Sequence, residues 1–213
     1  MTLGIRHDAR LPGSGALEDW LSEACLRERR ADQWLHAAPF KHLVIPDLIR
    51  SDVYSDLTDA CATECQRVGM SQDQDDRQLL YAPFLLRPAV DFFCGGAFRR
   101  FLGRVVGEKI ARPRDSIPQL RRLKGPTPAM RPHTDADVRF AFATFFFVHK
   151  SWCSGQGGET ILFDSDQRED RRVLPWPNLL YGMFFSPRSL HAVSELVERV
   201  DRICIYQEWS VTN

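Results

Sequence analysis

The sequence predicts an all-β core, in the form of an antiparallel sandwich or barrel, with α-helices packed on one side. The first of two observations is the helical spacing of apolar residues in the first half of the chain. The second is a series of short β-prone runs, separated by Gly and Pro turns, in the second half. The length of 213 residues suits one domain, with residues 1–114 as a mainly helical part and residues 115–213 as the barrel core.

Three segments of the first half are expected to be helices. Residues 17–24 follow the i, i+3, i+4, i+7 pattern, and Ser14 is available upstream as an N-cap. Residues 53–68 have the same spacing and come directly after Ser51. Residues 88–107 carry an apolar face that two adjacent glycines interrupt, which predicts one or two helices.

Short runs rich in aromatic and β-branched residues predict the strands of the core. The longest of them contains no helix breaker and is expected to form a single strand. The predicted strands are 42–45, 138–148, 160–163, 179–185 and 202–209, with a glycine-rich turn at 154–158. Two polar stretches, 72–77 and the highly charged 164–172, are expected to be solvated loops.

Charge and hydropathy exclude several classes of partner. Basic and acidic residues number 28 each, so the chain carries no overall basic field that would attract nucleic acid. The longest apolar runs, such as residues 145–148, fall far short of the roughly 20 residues that cross a bilayer. The first ten residues contain charges and no apolar segment typical of a signal peptide, so a cytoplasmic protein is expected. The sequence does not define an oligomeric state.

Three residues form a candidate metal site, namely His133, Asp135 and His191. His133 and Asp135 are two positions apart at the end of an extended segment, so both side chains can point to the same side. A second histidine comes from another predicted strand. Two imidazoles and one carboxylate form the facial triad of non-haem Fe(II) oxygenases, which leaves further coordination positions open. A His-x-Asp pair alone is a weak signal, and a structural histidine is the alternative.

Arg202 adds a third element, because it begins a predicted strand eleven positions after His191. If the residues between them form a turn, the two strands lie side by side and the guanidinium lies deeper than the metal. The planar set of donors on arginine suits a dicarboxylate whose other end binds the iron. Arg199 is the competing candidate, although it is expected in the exposed turn.

From about residue 120 to residue 209, the sequence resembles the iron(II)- and 2-oxoglutarate-dependent dioxygenases, especially the prolyl-hydroxylase-like branch. The resemblance rests on five segments in the expected order. These are Leu120 to Gly125, Arg131 to Asp135, Gly157 to Phe163, Tyr181 to Phe185, and His191 to Val193 followed by Arg202. One departure is Lys124, where the family often has a tyrosine that helps to bind the cosubstrate.

The resemblance implies a double-stranded β-helix, which is a cupin-like jelly roll, with Fe(2+) at its open end. It implies that 2-oxoglutarate and O2 are cosubstrates, with the distal carboxylate of 2-oxoglutarate on Arg202. The expected reaction hydroxylates an unactivated C–H bond and releases succinate and CO2. Glu159, within the glycine motif, is expected to be a structural hydrogen-bond acceptor, and Asp137 to lie near the triad without binding the metal.

The expected substrate is a small molecule, either an amino acid or a natural-product intermediate that is possibly carried on a protein or peptide. Arg131, Arg139 and Arg188 flank the metal residues and are candidates for an anionic substrate group, the alternative being surface arginines paired with acids. Two other functions fit the same residues. One is a cupin-type isomerase or binding domain that does not turn over 2-oxoglutarate, and the other is an interaction domain in which the His-x-Asp pair is accidental.

Overall fold

Two antiparallel sheets face each other in the computed structural model, which describes residues 11–13, 16–27, 31–67, 71–72, 78–81, 86–113, 116–135, 141–197 and 200–212. The strands are β1 Leu35–His36, β2 His42–Ile45, β3 Ser71–Gln72, β4 Gln78–Tyr81, β5 Lys109–Ala111, β6 Gln119–Lys124, β7 Met130–His133, β8 Phe142–Phe147, β9 Thr160–Phe163, β10 Glu169–Val173, β11 Leu180–Phe184, β12 His191–Val193 and β13 Asp201–Thr212. The helices are α1 Glu23–Leu26, α2 Ala31–Trp34, α3 Ser51–Arg67, α4 Arg87–Phe93 and α5 Gly96–Val106.

In the described part of the chain, the larger sheet contains nine strands and the smaller sheet four. The order in the larger sheet is β1-β2-β11-β8-β13-β6-β4-β3, with β5 paired to the end of β13. The order in the smaller sheet is β10-β9-β12-β7. Strands that are neighbours in a sheet come from distant parts of the chain, which is the connectivity of an antiparallel barrel rather than of a simple meander.

Apolar side chains from both sheets pack together in part of the space between them. Leu162 and Val173 of the smaller sheet pack against Phe147, Met183 and Cys204 of the larger one. Fully burying an aliphatic or aromatic side chain contributes about 1.5–3 kcal/mol, so this cluster holds the two sheets together.

The helices cover the opposite face of the larger sheet. Phe93 of α4 contacts Phe146 of β8, with ring centroids 4.9 Å apart. Because side chains alternate along a strand, Ile203 and Ile205 of β13 join this helical core while Cys204 joins the core between the sheets. None of the helices that the structure describes is long and apolar enough to cross a membrane.

The helical predictions are confirmed for the two longer segments and wrong for the first. Residues 88–107 form two helices, α4 and α5, as the paired glycines indicate. Residues 17–20 form a turn, and only the end of the predicted segment is helical, where Ser22 caps the short α1 by accepting a hydrogen bond from the backbone of Cys25. Trp20 stacks on Phe92 at 4.6 Å, and this tertiary contact outweighs the local helical spacing. Ser14 lies outside the described residues.

The predicted strands are confirmed: 42–45 and 160–163 have the same bounds, 138–148 and 179–185 are shorter, and 202–209 lies within the longer β13. Two predicted loops are wrong in part. The segment 138–148 forms a strand over Phe142–Phe147, and residues 136–140 lie outside the described part of the chain. The charged segment 164–172 was expected to be a loop, yet its second half forms β10, which pairs with β9. The side chains of Glu169 to Arg172 are exposed, so the strand has no apolar face that the sequence could reveal. The segment 72–77 was also expected to be a loop, but Gln72 belongs to β3, and residues 73–77 are not described.

Candidate metal centre and adjoining cavity

His133 and His191 lie directly opposite each other on the paired strands β7 and β12. Their ring centroids are 4.3 Å apart. In each residue, Nδ1 lies within hydrogen-bond distance of a backbone carbonyl two residues earlier, Arg131 at 2.8 Å and Ser189 at 2.9 Å. When Nδ1 donates to these carbonyls, the lone pair is on Nε2, which is the arrangement that a metal-binding imidazole needs.

Asp135 lies just after β7 and completes a group of three candidate ligands. Its carboxylate oxygens are 3.8 Å from Nε2 of His133 and 3.6 Å from Nε2 of His191. Both separations are shorter than twice a metal–ligand bond of about 2.1 Å, so one ion fits between the three side chains. Within the described residues, this is the one group of three or more such side chains close enough to hold a metal ion.

Burial differs strongly among the three residues. His191 is buried, whereas the side chains of His133 and Asp135 are 35% and 47% exposed. Burial lowers the pKa of His191, which favours the neutral imidazole that binds a metal. The site is therefore open to solvent on the β7 side and closed on the β12 side.

A cavity of about 600 Å³ extends from these residues into the space between the two sheets. His133, Asp135 and His191 lie at its rim, while Arg202 lies on the wall that the larger sheet forms. The lining also includes Phe145 and Met183, so polar and apolar groups share the wall of the cavity. Such a combination is typical of a small-molecule site.

Arg202 is buried at the beginning of β13, with 7% of its surface exposed. Its Nη2 donates to the hydroxyl of Thr160 at 3.3 Å, and its guanidinium lies 4.9 Å from the ring centroid of Phe147. The predicted arrangement of β12 and β13 as neighbours is wrong, because β12 belongs to the smaller sheet and β13 to the larger one. The connection between them crosses from sheet to sheet, so Arg202 and His191 line the cavity from different sheets.

The glycine motif makes room for this connection. Gly157 and Gly158 both have positive φ angles, 79° and 74°. A Cβ on Gly157 would come within 1.6 Å of the carbonyl oxygen of Glu195, and one on Gly158 would lie 3.2 Å from Cδ of Arg202. The next residue, Glu159, accepts a short hydrogen bond from Ser194. These contacts hold the glycine motif against residues 194–195 and beside the aliphatic part of the Arg202 side chain.

Arg121 and Tyr181 are among the polar residues of the cavity that were not predicted from the sequence. Arg121 of β6 lies over the ring of Tyr206, with its guanidinium carbon 3.2 Å from the ring centroid, and its Nε donates to Gln119 at 2.6 Å. Tyr181 of β11 is buried and lines the cavity. The available signal was the two-residue period of β6 and β11, which places both side chains on the inner face of the larger sheet.

The other residues singled out from the sequence do not all line the cavity. Arg131 lines the cavity and is exposed. Arg188 lies in an exposed turn and is not part of the lining, so its role in substrate binding stays a prediction. Lys124, at the exposed end of β6, also lies away from the lining. Asp137, Arg139 and Arg199 lie outside the described residues.

The sequence matches no family model and no curated protein. Solved structures, in contrast, match over most of the chain. A prolyl-4-hydroxylase from Pseudomonas putida is 16% identical with a TM-score of 0.60, over 81% of this chain and 93% of that one. A 2OG-Fe(II) oxygenase family oxidoreductase from Burkholderia pseudomallei is 12% identical with a TM-score of 0.62, over 94% and 92%.

A third match is a prolyl hydroxylase from Trichoplax adhaerens, in complex with a peptide fragment of the oxygen degradation domain of hypoxia inducible factor. It is 11% identical with a TM-score of 0.63, over 79% of this chain and 83% of that one. These comparisons confirm the predicted fold, because the chain has the jelly roll of the 2-oxoglutarate- and Fe(II)-dependent oxygenases with helices on one side.

Proposed function

We propose that this protein is a non-haem Fe(II)- and 2-oxoglutarate-dependent dioxygenase that hydroxylates a small organic molecule. The observation that carries the proposal is the convergence of His133, Asp135 and His191 at the mouth of a cavity that also holds a buried arginine. Two imidazoles and a carboxylate, with no cysteine in the group, suit Fe(II) better than a structural zinc ion. The fold shared with known oxygenases agrees with this donor set.

Each residue has a distinct role in this proposal. His133, Asp135 and His191 hold the iron, and the backbone carbonyls that bind Nδ1 of the histidines orient the two rings. Arg202 binds the distal carboxylate of 2-oxoglutarate, whose other end reaches the metal. Bound iron and 2-oxoglutarate supply the oxidising chemistry with O2, and the cosubstrate leaves as succinate and CO2. The apolar lining of Phe145 and Met183 keeps water from the reacting carbon.

The charges of the cavity support an anionic substrate. In the loaded site, the charges of Fe(II), Asp135, 2-oxoglutarate and Arg202 cancel, which leaves Arg121 and Arg131 as further cations on the lining. No acid pairs with Arg121 among the residues that the structure describes, and its stacking on Tyr206 fixes its position in the wall. A carboxylate of an amino acid or of a natural-product intermediate is the group that we propose for Arg121.

The cavity size favours a small molecule or a short side chain presented by a carrier. A volume of about 600 Å³ must hold both 2-oxoglutarate and the reacting part of the substrate. The peptide in the Trichoplax adhaerens structure shows that a protein with this fold can also take a peptide. A peptide would then bind across the open rim and present one residue to the cavity.

The test is formation of succinate from 2-oxoglutarate by the purified protein with Fe(II), using panels of amino acids, their amides and short peptides. Succinate formation that a free carboxylate stimulates and its amide does not is the expected result. The His191→Ala variant is the control for activity that does not depend on the site. Stoichiometric Fe(II) binding without any 2-oxoglutarate binding or succinate would instead favour the cupin-type alternative.

A further inference from the structure

Glu208 of β13 is a half-buried carboxylate that the fold leaves without a cation. Side chains alternate along a strand, so Glu208 lies on the same face as Cys204 and Tyr206, which is the face towards the smaller sheet. Its Oε1 accepts a hydrogen bond from the Tyr206 hydroxyl at 2.9 Å. In the part of the chain that the structure describes, no lysine, arginine or histidine forms an ion pair with this carboxylate.

Glu208 lies towards the open rim of the cavity, beyond the candidate metal ligands. At the start of β13, Arg202 is buried in the cavity wall. Four residues later, burial raises the pKa of Tyr206, and the charge of Asp135 adds to this rise, which places the phenol near the candidate metal site. A strand rises about 3.4 Å per residue, so Glu208 lies about 7 Å further in the same direction. Solvent reaches Glu208 there, whereas Arg202 and Tyr206 are buried.

Arg121 provides a matching positive charge on the cavity lining. Its guanidinium carbon is 3.2 Å from the ring centroid of Tyr206, the same residue whose hydroxyl binds Glu208. Arg121 and Glu208 thus contact one tyrosine, the first at the ring face and the second at the hydroxyl, and no ion pair joins them directly. Two opposite charges held apart in this way are complementary to a small molecule that carries both charges itself.

We propose that the substrate is a free α-amino acid, whose ammonium group binds Glu208 while its carboxylate binds Arg121. This inference rests on the proposed function and narrows its substrate class. A carboxylate has two oxygens and several acceptor sites, so Glu208 can bind an ammonium group and keep the hydrogen bond from Tyr206. An acid without an amino group would leave the Glu208 charge unpaired, and an amino acid joined to a carrier through its carboxylate would leave Arg121 unpaired.

The test compares two substrates that differ only in the proposed contact with Glu208. The first is the amino acid of the panel that stimulates succinate formation most, and the second is the 2-hydroxy acid with the same side chain. The hydroxyl is similar in size to the ammonium group but is neutral. We expect the wild-type protein, with Fe(II) and saturating 2-oxoglutarate, to favour the amino acid about tenfold in kcat/KM, which corresponds to about 1.4 kcal/mol. The difference should lie mainly in KM.

Three variants test whether the charge of Glu208 causes this preference. Glu208→Gln keeps the size of the side chain and an acceptor for Tyr206, so kcat/KM should fall about tenfold for the amino acid and stay close to the wild-type value for the 2-hydroxy acid. Glu208→Asp keeps the charge on a shorter side chain and should keep part of the preference. Glu195→Gln neutralises an exposed glutamate outside the cavity lining and should keep all of it.

The outcomes distinguish this inference from the proposed function. Equal turnover of the amino acid and the 2-hydroxy acid by the wild type, or better turnover of a peptide or amide than of any free amino acid, overturns the role of Glu208 while the proposed function stands. This comparison needs no variant, so it decides even if Glu208→Gln does not fold. Equal losses for both substrates in Glu208→Gln also overturn the inference, because they indicate a disturbed rim. Failure of the wild type to bind 2-oxoglutarate overturns the proposed function itself, and this inference with it.

Discussion

The two sheets contribute to the candidate site in different ways. The smaller sheet presents His133, Asp135 and His191 at or just beyond the ends of its strands, on a rim that is partly open to solvent. The larger sheet contributes Arg202 and Tyr181 from its buried inner face. The metal end of the site is thus formed by a rim that ligands can reach, and the opposite end by a wall inside the core.

This difference predicts how each part responds to substitution. A change on the rim should remove the chemistry and leave the fold intact, because His133 and Asp135 are partly exposed and contribute little packing, whereas a change at the buried His191 should also cost some stability. A change in the wall should weaken binding of the proposed cosubstrate and, where apolar packing is involved, should also lower stability. The following experiments test this division, from the largest expected effect to the smallest.

Replacement of any one candidate ligand should abolish turnover. His133→Ala, Asp135→Ala and His191→Ala each leave two ligands for the ion, and we expect Fe(II)-dependent formation of succinate to fall below a few per cent of the wild-type rate. Far-UV circular dichroism should show an unchanged fold. His36→Ala, at a histidine of β1 away from the cavity lining, is the matched control and should retain activity. Substantial activity in any of the three variants would contradict the ligand assignment.

Arg202→Met should weaken the binding of 2-oxoglutarate without a comparable effect on the binding of iron. A charge-assisted hydrogen bond in a buried site contributes about 1.5–3 kcal/mol, so the half-saturating concentration should rise about ten- to a hundredfold. Arg202→Lys should be intermediate, because lysine is a point charge without the planar set of donors. Arg199→Met is the comparison. An effect at Arg199 together with none at Arg202 would show that the wrong arginine is assigned.

The glycine motif offers a stability test of the connection between the sheets. Gly157→Ala places a methyl group 1.6 Å from the Glu195 carbonyl oxygen at a φ of 79°, so the backbone must move. We expect a loss of at least about 3 kcal/mol in the free energy of unfolding, since strain and steric overlap add. Gly155→Ala has a φ of 90° but no atom within 4 Å, and should cost about 1–2 kcal/mol. Urea denaturation of both variants makes the comparison, and equal losses would contradict the steric argument.

Two buried histidines associated with the larger sheet should make the fold sensitive to mild acid. Burial lowers the pKa of His42 and of His149 to about 4, from 6.5 in an unfolded chain. Between these values the unfolded chain binds more protons, so stability is highest above pH 6.5 and decreases as the pH falls towards 4. Each histidine should contribute on the order of 2 kcal/mol to the difference between about pH 7.5 and about pH 5.

The measurement is the free energy of unfolding against pH, compared with the His42→Gln variant. Glutamine has no titrating group, so the slope in this window should become shallower. His36 stacks on His42 at 4.8 Å but lies nearer the surface, and His36→Gln is the control that should change the slope less. An unchanged slope in His42→Gln would show that His42 is not held neutral by burial.

How well the sequence predicted the site also differs between the rim of the smaller sheet and the wall of the larger sheet. His133 and Asp135 are two residues apart, so their common direction is a property of a short extended segment and can be read from the chain. His191 was predicted from a strand pattern, and the register with His133 brings it to the same point. The pairing of β7 with β12 depends on the whole sheet and cannot be read from the spacing of residues along the chain.

The wall was harder to predict, because its residues resemble ordinary core or surface residues. Tyr181, in an apolar strand, looks like any buried aromatic, and Arg121 looks like an exposed arginine of a basic run. Only the packing of the two sheets against each other shows that both side chains line the cavity. The mistaken placement of β12 beside β13 has the same origin, since the residues between them cross to the other sheet rather than forming a hairpin.

The alternation of side chains along β13 has a consequence for how such a protein can diverge. Arg202, Cys204 and Tyr206 point towards the space between the sheets, while Ile203 and Ile205 point towards the helices. Selection for a new substrate therefore acts on one set of positions, and selection for a stable helical layer on the set between them. The cavity can change its specificity through alternate residues of this strand while the helical layer keeps its packing. A jelly roll of this kind can thus host different substrates on a scaffold that evolves largely independently of them.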